Sequence, residues 1–209
     1  MPGLVNLLTN QHGLRGVEME LMLMLMLMLQ VEIERPIEAE PRDCTCRAMW
    51  SYLGKAKVKR LEKKTPRGEP SPARVCDRVA REARRQGLDP EHAIAVAYSE
   101  SGFAWNPATY FKNGVRKYRS SYRGPMQVHR KYCDYRKKGC VPDGVRILLH
   151  WRGKTKTWKG AYGGYVGLYV KDLKRRKPKA YARKQAYVEK VSRLVEEMRK
   201  AETRRCRRR

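Results

Sequence analysis

One glutamate stands apart in a chain that is rich in lysine and arginine. In the stretch AVAYSESGFAWNP, Glu100 closes a run of mainly apolar residues. Ala93, Val96, Ala97 and Glu100 follow the i, i+3, i+4, i+7 spacing, so on a helix this carboxyl group lies on the apolar face. Desolvation there and the negative end of the helix dipole both raise the pKa of a carboxyl group. A carboxyl group that stays protonated near neutral pH can act as a general acid; the alternative is a glutamate that only hydrogen-bonds a neighbouring loop.

The helix that carries Glu100 is one of several predicted helices. The sequence predicts a helix over residues 73–86, ended by Gly87, and a second that starts at Pro90 with Asp89 as its N-cap. DGVRILLHWRGKTK (143–156) and YARKQAYVEKVSRLVEEMRKA (181–201) are also helix-like, and the glycine-rich KGAYGGYVG separates them. Because sustained strand alternation is scarce, the predicted fold class is mostly α.

The first 71 residues differ in composition from the rest. The nine apolar residues LMLMLMLML (21–29) are too few for a transmembrane helix, which needs about 20. Glutamates flank this run and no small-residue cleavage site follows, so we do not expect an ordinary secretory signal. A low-complexity strand or helix, an atypical export element and translated sequence upstream of the true start all stay open. Residues 32–72 are charged and contain several prolines, as linkers do. We therefore predict an N-terminal extension and linker at 1–71, a helical domain at 72–197 and a basic tail at 198–209.

Positive charge dominates the chain, with 48 basic and 21 acidic residues, a net charge of +27 and an ending RRCRRR. Such a protein is expected to bind a polyanion: nucleic acid, an anionic membrane surface or an acidic cell-wall polymer. The six cysteines lack the paired spacing of a zinc site, so no metal is predicted. Cys133 and Cys140 bracket a turn-like segment, and both a disulfide and free thiols are open for them.

Four short motifs follow one another: ESGFAWNP (100–107), RGPMQV (123–128), KGAYGGYVG (159–167) and AYVEKV (186–191). In this order they resemble the soluble lytic transglycosylase domain of the goose-type lysozyme superfamily, over about residues 73–195. The resemblance implies a lysozyme-like helical domain. Pro125 stands where the family usually has leucine, and Gly163 where it usually has asparagine. The segment YFKNGVRKYRSS, before the second motif, is longer than the family leads us to expect and is interpreted as a lip on the cleft.

The resemblance also implies roles for individual residues. Glu100 matches the family's single catalytic acid/base, and the residue after it completes a Glu-Ser pair. The second motif matches the one that lines the sugar cleft, and two tyrosines match residues close to the catalytic carboxyl group. An aromatic residue shortly after Glu100 is expected to stack on a sugar ring. The expected substrate-binding residues are Ser101, Trp105, Met126, Gln127, Tyr162 and Tyr187.

The implied chemistry uses one carboxyl group. Most glycoside hydrolases use two, but no other acid between Pro90 and Lys190 lies in a recognised partner motif. By the resemblance, Glu100 protonates the glycosidic oxygen between N-acetylmuramic acid and N-acetylglucosamine while the substrate's acetamido oxygen assists at C1. Glu100 then takes the proton of the C6 hydroxyl, and a 1,6-anhydro ring closes. No metal or organic cofactor is expected.

Peptidoglycan glycan strands are the expected substrate, and the basic surface is expected to bind anionic wall polymers. We expect a monomer and no specific nucleic acid, because the sequence lacks helix-turn-helix, zinc-finger, RNA-recognition and basic-zipper patterns. The expected site of action is the periplasm or the cell wall, and a phage-encoded lysis or virion-associated enzyme fits the small size. Two alternatives stay open: a lysozyme-type hydrolase on the same fold, and a basic, non-enzymatic protein that binds wall polymers or nucleic acid.

Overall fold

Helices make up most of the part of the chain that the structure describes. The computed structural model describes residues 40–105, 109–112, 115–118, 121–133 and 139–205, and for 109–118 and 202–205 it describes the backbone only. The Met-Leu run at 21–29 and most of the predicted N-terminal extension lie outside these residues. Within them, no helix is both long enough and apolar enough to cross a membrane.

The prediction of a mostly α fold is confirmed. Two short antiparallel hairpins and a 3-10 turn at Arg130–Tyr132 lie between the fourth and fifth helices. The hairpins pair β1 (Thr109–Lys112) with β2 (Val115–Tyr118), and β3 (Tyr122–Arg123) with β4 (Val128–His129). Apart from Thr109, the first hairpin falls within the segment that we interpreted as a lip. The helices are α1 (Cys44–Leu53), α2 (Lys55–Lys63), α3 (Pro72–Arg85), α4 (Pro90–Ser101), α5 (Val141–Thr155), α6 (Trp158–Tyr165), α7 (Leu173–Arg176) and α8 (Pro178–Arg205).

The first two predicted helices, α3 and α4, form as expected. Ser71 caps α3 by accepting a hydrogen bond from the backbone N–H of Arg74 at 3.3 Å. Gly87 follows α3 with a positive φ of 72°, which glycine adopts without strain. Asp89 is the N-cap residue of α4 and Pro90 its first residue, although the Asp89 side chain makes no capping hydrogen bond. Residues 91–98 of α4 are all buried, so this helix runs through the core.

Helix α1 belongs to the core, in contrast to the predicted linker. Asp43 caps it by accepting hydrogen bonds from two backbone N–H groups. Cys46 and Met49 are fully buried and Leu53 nearly so, and α1 packs against α8. The compact unit therefore includes the segment that we placed before the predicted boundary at residue 72. Charge and proline content suggested a linker there, but a short helix needs only one buried face to join a core.

Helix α6 occupies the glycine-rich segment that we expected to separate two helices. Thr157 caps it by accepting a hydrogen bond from the N–H of Gly160 at 3.1 Å. Gly164 lies against the indole of Trp151 on α5, so closely that a Cβ atom would overlap the ring. The glycines therefore permit two helices to approach each other rather than ending them.

The C-terminal helix α8 runs from Pro178 to Arg205, so the predicted tail boundary at 198 falls inside it. Met198 is itself fully buried. The helix continues because its apolar residues keep the 3.6-residue period through the predicted boundary. Its buried residues are Val188, Val191, Leu194, Val195 and Met198.

Disulfides connect parts of this unit. Cys133 and Cys140 are bonded to each other, which decides between the two states left open for them. A second disulfide joins Cys46 on α1 to Cys76 on α3, and Cys44 is disulfide-bonded as well. Among the described residues no cysteine is a free thiol.

Candidate active site

A surface pocket of about 340 Å³ opens beside Glu100. Helices α4 and α8 supply most of its wall, and the residue that follows α6 supplies the remainder. Glu100 is the only acid among the described residues that line it. The lining residues are Ser99, Glu100, Val166, Ala180, Arg183, Lys184 and Tyr187.

The end of α4 places Glu100 at the edge of the core. The helix stops at Gly102, whose N–H donates to the carbonyl of Tyr98 at 2.8 Å and whose φ is 62°. Phe103 follows with a φ of 64° and is fully buried, its ring 5.6 Å from that of Tyr98. Because the chain turns into the core directly after α4, Glu100 stays in the last helical turn, half-buried beside the pocket.

Burial raises the pKa of Glu100, and two neighbours oppose this shift. The hydroxyl of Tyr187 and the charge of Lys190 both lower the pKa of the carboxyl group, and each has a smaller effect than burial. The predicted upward shift and its main cause, desolvation, therefore agree with the structure. A carboxyl group with a raised pKa keeps its proton to higher pH, as a general acid requires.

Two polar atoms in the pocket wall have no hydrogen-bond partner among the described residues: the hydroxyls of Ser99 and Tyr187. The Tyr187 hydroxyl lies near enough to stabilise the Glu100 carboxylate, but outside normal hydrogen-bond geometry. Burial and the Glu100 charge raise the pKa of Tyr187 well above its ordinary value, so the phenol keeps its proton. Buried hydroxyls without partners are unusual, and a bound substrate oxygen would satisfy them.

Tyr165 is a further phenol beside the carboxyl group that the sequence analysis did not identify. Burial raises its pKa well above the ordinary value, and the charge of Glu100 adds to this shift. Its hydroxyl donates to the backbone carbonyl of Met126 at 2.6 Å, which fixes the ring. Tyr165, which belongs to the third motif, therefore contacts the second motif through Met126 and lies close to Glu100.

Tyr162, which we expected near the carboxyl group, bonds to a histidine instead. Its hydroxyl lies 2.6 Å from Nδ1 of His92, and both residues are buried. Arg199, which can only donate, lies 3.2 Å from Nε2 of His92, so the proton of the neutral ring is on Nδ1. The ring also stacks on Trp158 at 3.5 Å. Burial first, and then the charges of Arg199 and Arg152, lower the pKa of His92 to about 3.

One group of side chains could be considered for a metal ion. Asp89, Glu91 and His92 offer ligand atoms within 4.8 Å of one another. However, Arg199 donates to Glu91 at 2.9 Å and lies against His92 Nε2, so a guanidinium already occupies the place of a cation. We assign no metal site to this group.

Four other predicted site residues do not line the pocket. Met126 is fully buried, with its side chain against Gly144. Gln127 donates to the carbonyl of Gly124 at 2.9 Å within its own turn. Ser101 donates to the carbonyl of Ala97 at 3.0 Å. These contacts give the three side chains structural partners instead of a place in the pocket wall.

Trp105, the fourth, is partly buried and packs against the core. Its ring lies against Gly139, where a Cβ atom would overlap it, and the guanidinium of Arg78 lies 4.8 Å from the ring centre. The indole is thereby held between two elements. Of the expected substrate-binding residues, the structure brings Tyr187 alone into the described pocket wall with Glu100.

The pocket residues that the sequence analysis missed lie mainly on α8. Ala180, Arg183, Lys184 and Tyr187 follow an i, i+3, i+4, i+7 spacing, the same signal that identified the Glu100 face, and of these four Tyr187 alone was predicted. The spacing alone did not distinguish them from the many other basic residues of this segment. Their place in the wall of the pocket beside Glu100 distinguishes them.

Comparisons with protein-family models, with curated proteins and with solved structures find no match for this chain.

Proposed function

We propose that the protein is a peptidoglycan lytic transglycosylase with a lysozyme-like domain, in which Glu100 is the sole catalytic acid and base. The observation that supports this best is a half-buried carboxyl group, its pKa raised by burial, at the wall of a pocket with no second described acid. The order of the four sequence motifs around Glu100 supplies the reaction type.

The geometry suits a mechanism with one carboxyl group. Glu100 protonates the glycosidic oxygen between N-acetylmuramic acid and N-acetylglucosamine as the C1–O bond breaks. The acetamido oxygen of the substrate stabilises the positive charge at C1, as a second carboxylate does in ordinary glycosidases. Glu100, now a carboxylate, then accepts the proton of the C6 hydroxyl while that oxygen bonds to C1.

Tyr187 and Lys190 help the second half of this cycle. Both lower the pKa of Glu100, so they stabilise the carboxylate that forms after the first proton transfer. Burial helps the first half, because it raises the pKa of Glu100 and so favours the protonated form. One residue can then serve both steps near neutral pH.

The rest of the chain is compatible with action in the periplasm or on the cell wall. Disulfides such as Cys46–Cys76 persist in oxidising compartments, outside the reducing cytosol. The net charge of +27 favours binding to the carboxylates and phosphates of a wall. In this proposal the protein is a monomer, and no specific nucleic acid is its partner.

The test is mass spectrometry of the soluble fragments that the full-length protein releases from purified peptidoglycan. We expect 1,6-anhydro-muropeptides from the unchanged protein. We expect Glu100→Gln to release these fragments at least about 100-fold more slowly, because the amide has nearly the same shape but cannot donate the proton.

Glu189→Gln is the matched control, since this carboxylate is largely exposed on α8 and pairs with Lys159 at 3.1 Å. It should release fragments at the unchanged rate. Muropeptides with a reducing end would instead indicate a lysozyme-type hydrolase, in which water replaces the C6 hydroxyl. Absence of release from the unchanged protein would contradict an enzymatic function and favour a wall-binding protein.

A further inference from the structure

Three side chains on one face of α8 lie near Glu100, and the first and last of them are cations. Arg183 and Tyr187 line the pocket, and Lys190 is close enough to Glu100 for their charges to attract. At i, i+4 and i+7 the three residues share one helical face. Seven residues of helix extend about 10 Å along the axis, so Arg183 and Lys190 lie at the two ends of this face, and Tyr187, whose hydroxyl acts on Glu100, lies between them.

A second lysine strengthens the positive charge at the Lys190 end. The Nζ atoms of Lys57, on α2, and Lys190 lie 5.4 Å and 5.7 Å from the centre of the same Tyr98 ring. Burial first, and then repulsion from Lys57, lower the pKa of Lys190, and the charge of Glu100 opposes them. Neither ammonium group forms an ion pair with the part of the chain that the structure describes. An anion between them would relieve this repulsion.

At the other end, two cationic side chains of the pocket wall differ in how they are held. Lys184 donates to the carbonyl of Gly167 at 2.9 Å and is therefore fixed to the wall. Arg183 is exposed, and no ion pair joins it to another residue that the structure describes. Its guanidinium is thus free to bind a carboxylate, which it can hold through two parallel hydrogen bonds.

We propose that this cleft selects a substrate with a carboxylate on each side of the reacting bond, one bound by Arg183 and the other by Lys57 and Lys190. The inference rests on the proposed function and specifies its substrate. A glycan strand of peptidoglycan carries peptide stems with free carboxylates on alternate sugars, whereas a strand of N-acetylglucosamine alone carries none. The cleft therefore distinguishes peptidoglycan from neutral polymers with the same β-1,4 linkage, and free stems from amidated ones.

The experiment compares two forms of one peptidoglycan preparation: untreated, and with its carboxylates converted to amides. Initial rates of muropeptide release are measured at several substrate concentrations. At low substrate concentration we expect the unchanged protein to act on the amidated form at least about tenfold more slowly than on the untreated form. Charge-assisted hydrogen bonds, which the amides cannot form, are among the strongest polar contacts. The difference should lie in KM, because these contacts are remote from the bond that breaks.

The double variant Lys57→Gln, Arg183→Gln should lose most of this preference and act on both forms at similar rates. Neither residue contributes to the pKa shift of Glu100, so its proton chemistry is retained. The matched control is Lys59→Gln, Arg193→Gln, which removes the same charges from exposed positions of the same two helices. It should keep the full preference, which separates a local effect from the effect of net charge.

Equal rates of the unchanged protein on both forms, with normal release, would overturn this inference and leave the proposed function intact. A preference that the double variant retains would overturn it as well. Absence of release from either form would contradict the proposed function instead. Cosedimentation of the Glu100→Gln variant with each form tests the carboxylate requirement without cleavage: equal binding would count against it.

Discussion

The carboxyl group of Glu100 lies where opposing influences act on its pKa. Burial favours the protonated form, and Tyr187 and Lys190 favour the carboxylate. A single group that must donate a proton and then accept one can use both influences, because burial favours the acid before the first transfer and the two neighbours favour the carboxylate after it. The proposed chemistry depends on the balance more than on any one contact.

The phenol of Tyr187 can be removed to test this balance. Its hydroxyl lowers the pKa of Glu100, so Tyr187→Phe should raise that pKa further. An acid with a higher pKa stays protonated to higher pH, and the descending alkaline limb of the cleavage rate should therefore move to higher pH. The measurement is the pH profile of muropeptide release at low substrate concentration.

Tyr181→Phe serves as the control, because Tyr181 lies on the same helix but outside the described pocket wall. Its profile should match that of the unchanged protein. A limb that stays in place or moves to lower pH in Tyr187→Phe would show that the hydroxyl does not act on Glu100.

At the scale of elements, two segments behave differently from their composition. Helix α1 lies in a stretch that resembles a linker, yet it packs with α8 and is bonded to α3 through Cys46 and Cys76. Helix α6 is rich in glycine, yet it is a helix because it packs against α5. In both cases tertiary packing outweighs local propensity.

Met49 tests whether α1 is part of the core. It is fully buried, so Met49→Ala should lower the free energy of unfolding by about 2–4 kcal/mol through lost burial and a remaining cavity. Tyr52→Ala, in the same helix but 43% exposed, should change it by less than about 1 kcal/mol. Urea unfolding monitored by circular dichroism measures both; similar small effects would indicate that α1 is only loosely attached.

Gly164 and Gly153 form a matched pair for the packing of α5 on α6. Gly164→Ala should destabilise the protein by about 1–3 kcal/mol, because the added methyl group overlaps the Trp151 ring. Gly153 lies within α5 with open space around its Cα, so Gly153→Ala should stabilise by up to about 1 kcal/mol through helix propensity. Opposite signs in thermal unfolding are the expected result. Stabilisation by both changes would mean that the two helices do not need a close approach at Gly164.

At the scale of the whole molecule, a buried neutral histidine links stability to pH. His92 ordinarily has a pKa of 6.5, and in the folded protein burial and nearby arginines lower it to about 3. Between these values the unfolded chain binds a proton that the folded protein does not. Its contribution to stability is therefore complete above pH 6.5 and decreases as the pH falls toward 3.

The loss from His92 is at most about 5 kcal/mol over that range, from the size of the pKa change. Glu100 has the opposite sign, because its raised pKa makes the folded protein bind a proton more readily, and it offsets part of the loss. We expect a lower free energy of unfolding at about pH 4.5 than at about pH 7. Nuclear magnetic resonance of the His92 ring is the direct check: titration between about pH 6 and 7 would contradict the buried, neutral state.

The helical class, the start of α4, the ends of α3 to within one residue and the partial burial of Glu100 all follow from the sequence. These are local properties: apolar spacing, a proline at a helix start and a glycine after a helix end fix them wherever the segment lies in the fold. Local spacing did not identify Tyr187, which was predicted from the resemblance of its motif to the transglycosylase family.

The tertiary structure alone decided which side chains meet at the carboxyl group. Tyr165 on α6 and Lys190 on α8 both lie close enough to Glu100 to interact with its charge, and no spacing within one helix shows that these elements meet. It also decided that Tyr162 bonds to His92 and that α1 joins the core. The physical reason is that burial and charge contacts depend on distances in space between residues that are far apart in the chain, and packing sets those distances.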